Sequence, residues 1–591
     1  MIYDDLTEQQ RAFAEYPAEA FVQACPGAGK TRTLVERLNT LATSLPARHG
    51  VAILSFTNSA VEEFAHRCRG ASIEASLRHP NFIGTFDAFL RRFIVLPAGS
   101  VEATVAPTVV DSWDTLDVEI RLQGRNAFAG QGLSLDYYDS DADEIMHERI
   151  RHTGLRRHVQ QNLVDYTNVA RARRRGLLRA GYLSAGDVRA LARQKTADPA
   201  MGAALGSALA ARFVEVIVDE AQDCNPQDLE IVAWLRLHGI RVTLVCDIDQ
   251  SIYGFRHGLP NNLRNFAQVY PEDSQLLLTG NFRSSPAICS FAGTLRPEAR
   301  VDDSLGPYAR VEHPVLLIGY RGAAPSAAIG TTFIDRVRRL GLDVDDSVVL
   351  SHKKKSARSA LGVQSADARG QSKIEWLAHA VGAFWSPASG ARGREASLQS
   401  IEKLLLQCLG VRQDGEHPSR TITRLGLDRR LLRRQALEVA TKLSPHCVND
   451  AQARTEWVAQ AREAFASICV APVGQTIGRF LPSPPTGDWT KHLEGAGQEG
   501  QVAYATIHEA KGREFEAVCV VVPPNRAPEN YTRQLMDAWT NRTDDEGKRV
   551  LYVGATRARQ FLTVAVPAGL MPEVTRTLEA GAVAFERVDL P

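Results

Sequence analysis

A glycine-rich segment near the start of the chain has the residue types of a phosphate-binding loop. It reads Ala24-Cys25-Pro26-Gly27-Ala28-Gly29-Lys30-Thr31, follows a strand-like run and opens a helical pattern. In such a loop, backbone N–H groups face the phosphates and the helix N-terminus adds partial positive charge. Lys30 would reach the β- and γ-phosphates, and the Thr31 hydroxyl would bind Mg²⁺. Ala24 stands where the usual pattern has glycine, so the segment alone leaves a chance glycine-rich turn open.

A second group of reactive residues follows the apolar run Val214–Val218. There the chain reads Asp219-Glu220-Ala221-Gln222-Asp223, so a buried strand would end in paired carboxylates. Asp219 would hold Mg²⁺ through water, and Glu220 would accept a proton from the attacking water. An acidic helix N-cap is the alternative, since carboxylates near a helix N-terminus are favourable in themselves. Together with the glycine-rich loop, the segment predicts both halves of an ATP-hydrolysis site.

The elements that must position these residues are short apolar and β-branched runs separated by helical patterns. Runs without polar alternation are typical of parallel strands that are covered on both faces. The pattern predicts an α/β fold with two cores, each interrupted by a mainly helical insertion. The expected boundaries are 1–93 and 206–275 for the first core, 94–205 for its insertion, 276–375 and 500–591 for the second core, and 376–499 for its insertion.

Composition excludes several classes of protein. The 591 residues are 44% hydrophobic and 23% charged, with a formal net charge of +1, which is ordinary for a folded globular chain. No stretch reaches the roughly 18 apolar residues of a membrane helix, and residues 1–10 lack the apolar segment of a secretory signal. The nine cysteines form no C-x-x-C pair, so a zinc ribbon or iron–sulfur cluster is not expected. We therefore expect a cytoplasmic protein with reduced thiols and no membrane partner.

One local charge run stands out against this neutral background. Between Arg149 and Arg175 the sequence has eight arginines and one acid, Asp165. The run predicts either a solvated helix face or a surface that follows a nucleic-acid backbone.

Further short segments follow one another in a fixed order along the chain. They are Leu6-Thr7-Glu8-Gln9-Gln10, Arg32 after the glycine-rich loop, Phe56-Thr57-Asn58, Gly84-Thr85-Phe86, Asp247–Arg256, Asn281-Phe282-Arg283-Ser284, Thr506–Phe515 and Tyr552–Arg559. Together with the two segments above, they resemble the motifs of the superfamily 1A helicases, the family of UvrD, Rep and PcrA. Asp87 stands where that family usually has histidine, and Cys246 where it commonly has glycine.

The resemblance implies two RecA-like P-loop NTPase cores with ATP between them and Mg²⁺ as the metal. Gln10 would read the adenine edge, Phe282 would stack on adenine, and Glu514 would bind the ribose. Gln250 would sense the γ-phosphate, and Arg283 and Arg557 would reach it from the second core, where a guanidinium can bond two oxygens at once. The other nucleotide-binding residues that it implies are Gly27, Ala28, Gly29, Lys30, Thr31 and Arg32.

The same resemblance implies single-stranded or partly duplex DNA as the partner and 3′→5′ movement along one strand. The DNA-binding residues that it implies are Phe56, Asn58, Thr85, Tyr253, Phe255, Arg256 and His508. The aromatic members would stack on bases, a contact that does not depend on base sequence. Arg256 and His508 would couple the strand to the ATP site. Core packing is the alternative for the aromatic residues.

Two readings of the activity stay open. The insertion at 376–499 is short for the family, so strand separation follows less directly than ATP hydrolysis. The short insertion and the segment Asn81–Asp87 are similar to the helicase-like subunit of Gabija-type antiphage systems. That similarity implies an alternative function, a DNA- and nucleotide-sensing regulatory subunit that acts with an OLD-family/TOPRIM nuclease. An RNA-directed enzyme is disfavoured by the family resemblance alone.

Overall fold

The structure is a computed structural model of the 591-residue chain. It describes residues 5–46, 48–97, 108–110, 113, 121–122, 132–139, 142–150, 152–252, 260–298, 300–362, 372–386, 391–409, 427–444, 451–468, 476–483, 489, 493, 502–525 and 530–591. The chain divides into two compact units, Met1–Phe282 and Arg283–Pro591. The predicted strand-binding residues Tyr253, Phe255 and Arg256 lie outside the described residues.

The first unit contains the following elements. Its strands are β1 (Phe21–Ala24), β2 (Gly50–Ser55), β3 (Phe82–Thr85), β4 (Thr108–Val110), β5 (Arg121–Leu122), β6 (Leu133–Ser134), β7 (Tyr138–Asp139), β8 (Glu144–Ile145), β9 (Tyr182–Ser184), β10 (Phe213–Val218), β11 (Arg241–Cys246), β12 (Gln275–Leu278) and β13 (Gly280–Asn281). Its α-helices are α1 (Glu8–Glu15), α2 (Lys30–Ser44), α3 (Asn58–Gly70), α4 (Phe86–Phe89), α5 (Thr153–Gln161), α6 (Leu163–Arg179), α7 (Ala185–Ala197), α8 (Pro199–Ala210), α9 (Pro226–Leu237) and α10 (Pro260–Ala267).

A six-stranded parallel sheet in the order β12-β1-β11-β10-β2-β3 forms the core of this unit. Strands β2 and β11 are almost wholly buried along their length, because helices cover both faces of the sheet. The carboxyl ends of β1, β10 and β11 lie at one edge of the sheet, where parallel α/β folds bind ligands. The sheet therefore brings together the predicted loops after β1, β10 and β11.

The segment between β3 and β10 combines strands and helices. Helices α5 to α8 were expected from the sequence, whereas the short ladders β4–β9, β5–β6 and β7–β8 were not. Strands of two or three residues are too short to show a period-2 pattern. The domain boundaries stay predictions; α8 extends past the expected boundary at 205 to Ala210, and β12, which begins at Gln275, pairs with β1 in the first sheet.

The second unit repeats the design. Its strands are β14 (Asp303–Ser304), β15 (Val315–Tyr320), β16 (Ser347–Ser351), β17 (Ala503–Thr506), β18 (Phe515–Val521), β19 (Ala558–Pro567) and β20 (Phe585–Asp589). Its α-helices are α11 (Pro286–Thr294), α12 (Ala327–Arg339), α13 (Lys354–Ala360), α14 (Lys373–Trp385), α15 (Ala391–Cys408), α16 (Arg429–Lys442), α17 (Ala451–Ala466), α18 (Ile477–Phe480), α19 (Ile507–Ala510), α20 (Tyr531–Thr540), α21 (Glu546–Ala555) and α22 (Met571–Ala580).

Six parallel strands form its sheet, in the order β17-β16-β18-β19-β15-β20. Helices α14 to α18 pack around an apolar cluster of their own, centred on the buried Trp457, which lies 5.3 Å from the ring of Trp489. The expected α/β class with two cores is confirmed. None of the helices that the structure describes has the length and apolarity needed to cross a membrane.

One buried ion pair fixes the core of the first unit. The guanidinium of Arg37 on α2 donates to Glu215 on β10 at 2.8–3.0 Å, and both side chains are fully buried. It also donates to the carbonyls of Phe13 and Tyr16 at 2.9 Å, and the Thr243 hydroxyl donates to Glu215 at 2.6 Å. Each charge is thus hydrogen-bonded as well as paired.

Arg37→Met is expected to destabilise the first unit by about 3–5 kcal/mol, because it removes the hydrogen-bonded countercharge of the buried Glu215 carboxylate and leaves only Arg241, whose Nη2 lies 3.8 Å from Oε2 of Glu215. Urea unfolding followed by circular dichroism measures the change. Arg67→Met is the matched control, since Arg67 forms an exposed pair with Glu63 on α3 and should change stability by under about 0.5 kcal/mol. Equal losses for the two variants would contradict the assignment.

Candidate nucleotide site

The glycine-rich loop joins β1 to α2 as the sequence predicts. Gly27 and Gly29 have φ angles of 74° and 71°, in the left-handed region that favours glycine. A Cβ on Gly29 would also lie 2.8 Å from Nε2 of Gln10, so a side chain fits there only if Gln10 moves. Helix α2 begins at Lys30 and directs its N-terminus at the loop. Ala24 is the last residue of β1, where extended backbone does not require glycine.

Lys30 contacts the acidic segment at the end of β10. Its Nζ donates to Oε1 of Glu220 at 2.8 Å. Burial disfavours the ammonium charge, but the nearby carboxylates of Glu220 and Asp219 outweigh burial and raise the pKa of Lys30. Burial and the charge of Glu220 raise the pKa of Asp219 above its ordinary value. A cation, as Mg²⁺ or as the Lys30 ammonium, therefore offsets a real electrostatic cost at this site.

The backbone of the acidic segment is held in an unusual conformation. Glu220 has a φ of 55°, which is uncommon for a residue other than glycine. Two hydrogen bonds hold the turn: the N–H of Asp219 donates to the carbonyl of Leu54 at 2.8 Å, and the N–H of Glu220 donates to Oδ1 of Asp219 at 2.9 Å. Backbone strain of this kind is concentrated at functional sites, which agrees with a catalytic role for this turn.

A continuous chain of hydrogen bonds runs from Lys30 to Gln250. Nε2 of Gln222 donates to Glu220, and Oε1 of Gln222 accepts from the N–H of Asp247 at 3.1 Å. Nε2 of Gln250 then donates to Oδ2 of Asp247 at 2.8 Å. Asp247 is fully buried and Gln250 is 6% exposed, so this end of the chain is shielded from water, whereas the side chains of Lys30 and Glu220 are partly exposed. The structure thus joins the predicted residues Lys30, Glu220 and Gln250 through two others, Gln222 and Asp247, for which no separate role was predicted.

Metal binding fits this arrangement. Among the residues that the structure describes, no group of three or more His, Cys, Asp or Glu side chains could hold a metal by itself. Mg²⁺ is usually held by one or two carboxylates together with substrate phosphates and water. Thr31, at the start of α2, and Asp219, at the end of β10, match that donor set.

The residues predicted to hold adenine lie beside the glycine-rich loop. Nε2 of Gln10 donates to the Ala28 carbonyl at 2.9 Å, and its Oε1 accepts from the N–H of Thr7 at 3.0 Å, within the capping box of α1. The N–H of Phe282 donates to the carbonyl of Gly27 at 2.9 Å. Arg32 pairs with Asp5. The adenine contacts stay predictions, but the positions of Gln10 and Phe282 agree with them.

The described strand-binding candidates of the first unit have structural partners. The ring of Phe56 stacks on that of Phe86, with centroids 5.6 Å apart and an interplanar angle of 11°. The Thr85 hydroxyl accepts from the N–H of Ala88 at 3.1 Å and caps α4. Asn58 is exposed at the first turn of α3. Packing is therefore observed for Phe56, while base stacking by it stays a prediction.

In the second unit, three predicted residues form one cluster. Nε of Arg283 donates to Oε1 of Glu514 at 2.7 Å, and Nη1 of Arg283 donates to the carbonyl of Thr556 at 3.2 Å. Arg557 is 2% exposed, and its Nε donates to the carbonyl of Val553 at 2.9 Å. The end of α21 and the starts of β18 and β19 thus bring Arg283, Glu514 and Arg557 together.

A buried ion pair anchors this cluster. The guanidinium of Arg296 donates two parallel bonds of 2.7 Å to the carboxylate of Asp302 and a further bond of 2.7 Å to the Tyr552 hydroxyl. Tyr552 lies on α21 five residues before Arg557. The helix that presents Arg557 is therefore fixed to the segment after α11.

His508 lies next to a basic cleft that the sequence did not predict. Its ring centroid is 5.9 Å from that of His352, which stacks on Tyr531 at 4.4 Å. Lys353, Lys355 and Tyr531 line a cleft of about 110 Å³ at the carboxyl edge of the second sheet. The run Lys353-Lys354-Lys355 directly after a strand-like segment is a sequence signal that could have indicated it.

The arginine run contains both ion-paired and exposed residues. Arg171 pairs with Asp143 at 2.6 Å, and Arg174 pairs with Asp187, so these two residues hold elements together. Arg173 and Arg175 on α6 are exposed and form no ion pair within the described part of the chain. The latter residues keep a nucleic-acid contact open.

Comparison with known proteins identifies two helicase domains in the chain. The family model for the UvrD/REP helicase N-terminal domain matches residues 6–271, and that for the UvrD-like helicase C-terminal domain matches residues 490–568. DNA helicase II of Escherichia coli (strain K12) is 29% identical over 310 residues, which cover 50% of this chain and 40% of that protein. The putative ATP-dependent DNA helicase YjcD of Bacillus subtilis (strain 168) is 24% identical over 409 residues, which cover 60% of this chain and 52% of that protein. The chain spans about half the length of the curated relatives it matches.

The two matched domains contain the first cluster and two of the three residues of the second. The N-terminal match includes the glycine-rich loop, the acidic turn and Gln250, and the C-terminal match includes Glu514 and Arg557. The two parallel sheets agree with the RecA-like cores of such proteins. From its sequence motifs, its matched domains and its relatives, the chain is a member of the UvrD-like family of superfamily 1A DNA helicases.

Proposed function

We propose that the chain hydrolyses ATP with Mg²⁺ and uses the cycle to move 3′→5′ along single-stranded DNA. The observation that carries this proposal is the chain of hydrogen bonds from Lys30 through Glu220, Gln222 and Asp247 to Gln250. It joins a phosphate-binding lysine, an acid and a γ-phosphate sensor in one network. Relatives described as ATP-dependent DNA helicases support the substrate class.

Hydrolysis follows from the chemistry of these side chains. Phosphate oxygens compete with Glu220 for the Lys30 ammonium, so nucleotide binding frees the Glu220 carboxylate to accept a proton from the attacking water. Bound Mg²⁺ neutralises charge on the β- and γ-phosphates. Gln250 contacts the γ-phosphate, and its Nε2 donates a hydrogen bond of 2.8 Å to Oδ2 of Asp247. Movement of Gln250 on γ-phosphate binding would therefore also move Asp247.

The second unit supplies arginines to the same reaction. A guanidinium stays charged and bonds two oxygens, so Arg283 and Arg557 suit the charge that develops on the γ-phosphate. Glu514 pairs with Arg283 at 2.7 Å. Binding of the ribose by Glu514 would therefore also reposition Arg283.

Strand binding uses both units. In the first unit, Phe56 and Asn58 follow the carboxyl end of β2, and Thr85 is the last residue of β3. In the second unit, Lys353 and Lys355 bind phosphates, and Tyr531 offers a ring to a base. The exposed arginines of α6 add a sequence-independent electrostatic contact with the DNA backbone.

ATP turnover with and without a single-stranded DNA oligomer tests the proposal, and a forked duplex tests strand separation. Stimulated turnover with unwinding supports a self-sufficient helicase. Stimulated turnover without unwinding favours the alternative, a DNA- and nucleotide-sensing subunit of an antiphage nuclease complex. Absence of ATP hydrolysis by the pure chain, with or without DNA, would contradict the proposed activity.

A further inference from the structure

Arg189 on α7 joins two carboxylates that lie far from it in the sequence. Its Nη1 lies 2.9 Å from Oδ1 of Asp87 on α4, and its Nε donates to Oδ1 of Asp228 on α9 at 2.8 Å. The exposed fractions of the three side chains are 16% for Arg189, 38% for Asp87 and 2% for Asp228. The contact with Asp228 is a charge-assisted hydrogen bond in a poorly solvated place, where it is stronger than in water, and the contact with Asp87 is an ion pair at a partly exposed site.

The Asp87 end of this bridge belongs to the predicted strand-binding region. Asp87 follows Thr85 by two residues, on the short helix that Thr85 caps. Its neighbour Phe86 stacks on Phe56. A displacement of α4 on DNA binding would therefore reach Arg189 directly.

The Asp228 end belongs to the acidic turn. Asp228 and Asn225 form the capping box of α9, with bonds of 2.8 and 3.1 Å. Upstream of Asn225, the N–H of Asp223 donates to the Glu220 carbonyl at 2.9 Å and the N–H of Cys224 donates to the Ala221 carbonyl at 3.1 Å. The segment from Glu220 to Asp228 is thus one hydrogen-bonded piece, and Arg189 holds its far end.

The residue types suit this bridge. Burial disfavours the charge of Arg189, but Asp228 and Asp87 outweigh burial and raise the pKa of its guanidinium. The nitrogens Nε and Nη1 point in different directions, so one arginine can hold two elements at once, which a lysine ammonium does less well. Without the Arg189 guanidinium, the carboxylates of Asp87 and Asp228 would lose the positive charge that lies between them. Asp87, which stands where the family usually has histidine, is therefore paired with a positively charged residue of α7, Arg189.

We propose that Arg189 is a positioning residue that fixes α4 against the turn carrying Glu220. Binding of a DNA strand near α4 would thereby raise the rate of ATP hydrolysis at Glu220. This inference rests on the proposed function. The family resemblance links the segment Gly84-Thr85-Phe86 to DNA and the segment Asp219–Asp223 to ATP. The inference adds Arg189, a residue of the predicted insertion, as a connection between them.

The test uses Asp87→Asn and Arg189→Gln in the full chain. Asp87→Asn breaks only the α4 end, at a partly exposed site, and leaves Arg189 paired with Asp228, so this variant should fold. Basal ATP turnover and the affinity for a fluorescent ATP analogue are expected to stay within about twofold of the unsubstituted chain. The DNA-stimulated kcat is expected to fall by about fivefold or more in both variants, since residues that couple two sites change the coupling on this scale.

Arg193→Gln is the matched control. Arg193 lies on the same helix, four residues after Arg189, and pairs with Glu230 of α9 at 2.7 Å. Its ratio of stimulated to basal turnover should be unchanged. A fall in the ratio for the Asp87 and Arg189 variants alone supports the proposal.

Three results would overturn it. Equal losses of basal and stimulated turnover would make Arg189 a purely structural residue. An unchanged ratio of stimulated to basal turnover in both variants would show that Arg189 does not couple strand binding to hydrolysis. A fall of the same size in Arg193→Gln would assign the effect to the α7–α9 contact in general. An unsubstituted chain that DNA does not stimulate would reject the proposed function itself, whereas a stimulated one with unaffected variants rejects only the role of Arg189.

Discussion

Glu220→Gln is expected to lower the rate of ATP hydrolysis by about 10²–10⁴-fold while ATP still binds, because the amide keeps the shape of the carboxylate but cannot accept the proton of water. The Lys30 ammonium can still donate to the amide oxygen, as it does to Oε1 of Glu220 at 2.8 Å. The acidic turn should therefore keep its conformation. Single-turnover hydrolysis and binding of a fluorescent ATP analogue measure the two effects separately.

Glu62→Gln controls for the change in net charge. Glu62 is exposed on α3 and should leave the rate unchanged. Hydrolysis by Glu220→Gln at the rate of the unsubstituted chain would show that another group accepts the proton. Loss of nucleotide binding together with hydrolysis would instead make Glu220 a residue that holds Lys30 in place.

Arg557→Lys is expected to lower single-turnover hydrolysis by about 10³-fold, because a lysine keeps the positive charge but loses the fork that contacts two phosphate oxygens. Arg557 is 2% exposed and donates to the Val553 carbonyl at 2.9 Å, so truncation to alanine would also leave a cavity. The lysine variant reduces that risk. Nucleotide affinity should change much less than the rate, since the arginine acts mainly on charge that develops during the reaction.

Arg559→Lys is the matched control for this change. Arg559 lies two residues further on and pairs with Asp346 within the second unit. It should leave hydrolysis nearly unchanged. A rate for Arg557→Lys within a few-fold of the unsubstituted chain, at unaltered thermal stability, would show that Arg557 serves the structure of α21 and not the reaction.

The elements of the fold could be predicted where local sequence determines them. Buried parallel strands are continuous apolar runs, and the glycine-rich loop needs positive φ angles at Gly27 and Gly29, so both leave a local signature. Strands β4 to β8 have two or three residues each and leave none. The extension of the first sheet to β12 depends on pairing with β1, more than 250 residues earlier in the chain.

The residues of the candidate site also fall into two groups, those with a local sequence signature and those that only the folded chain brings together. Lys30, Glu220 and Gln250 lie in recognisable segments, and the structure joins them. The partners of Arg189 are 102 and 39 residues away, so no window of sequence contains the bridge. Tyr531 is likewise separated from His352, and only the folded sheet brings their rings to 4.4 Å. Long-range ion pairs and ring stacks depend on the assembled fold and could not be deduced from spacing.

The unusual backbone of Glu220 links the fold to the reaction. A φ of 55° at a residue other than glycine costs free energy, and the hydrogen bonds from Asp219 to Leu54 and from Glu220 to Asp219 hold the turn in that state. The geometry presents the Glu220 carboxylate to Lys30. Preorganised groups of this kind do not have to reorganise during the reaction, which lowers the barrier.

Steady-state ATP turnover by the purified chain, titrated with a single-stranded DNA oligomer, shows whether DNA drives the hydrolysis cycle. We expect hydrolysis that rises with DNA to a saturating value, and loss of that hydrolysis in Glu220→Gln. Turnover that DNA leaves unchanged, in a chain that binds ATP and hydrolyses it through Glu220, would contradict a DNA-driven motor and leave an ATPase without strand coupling.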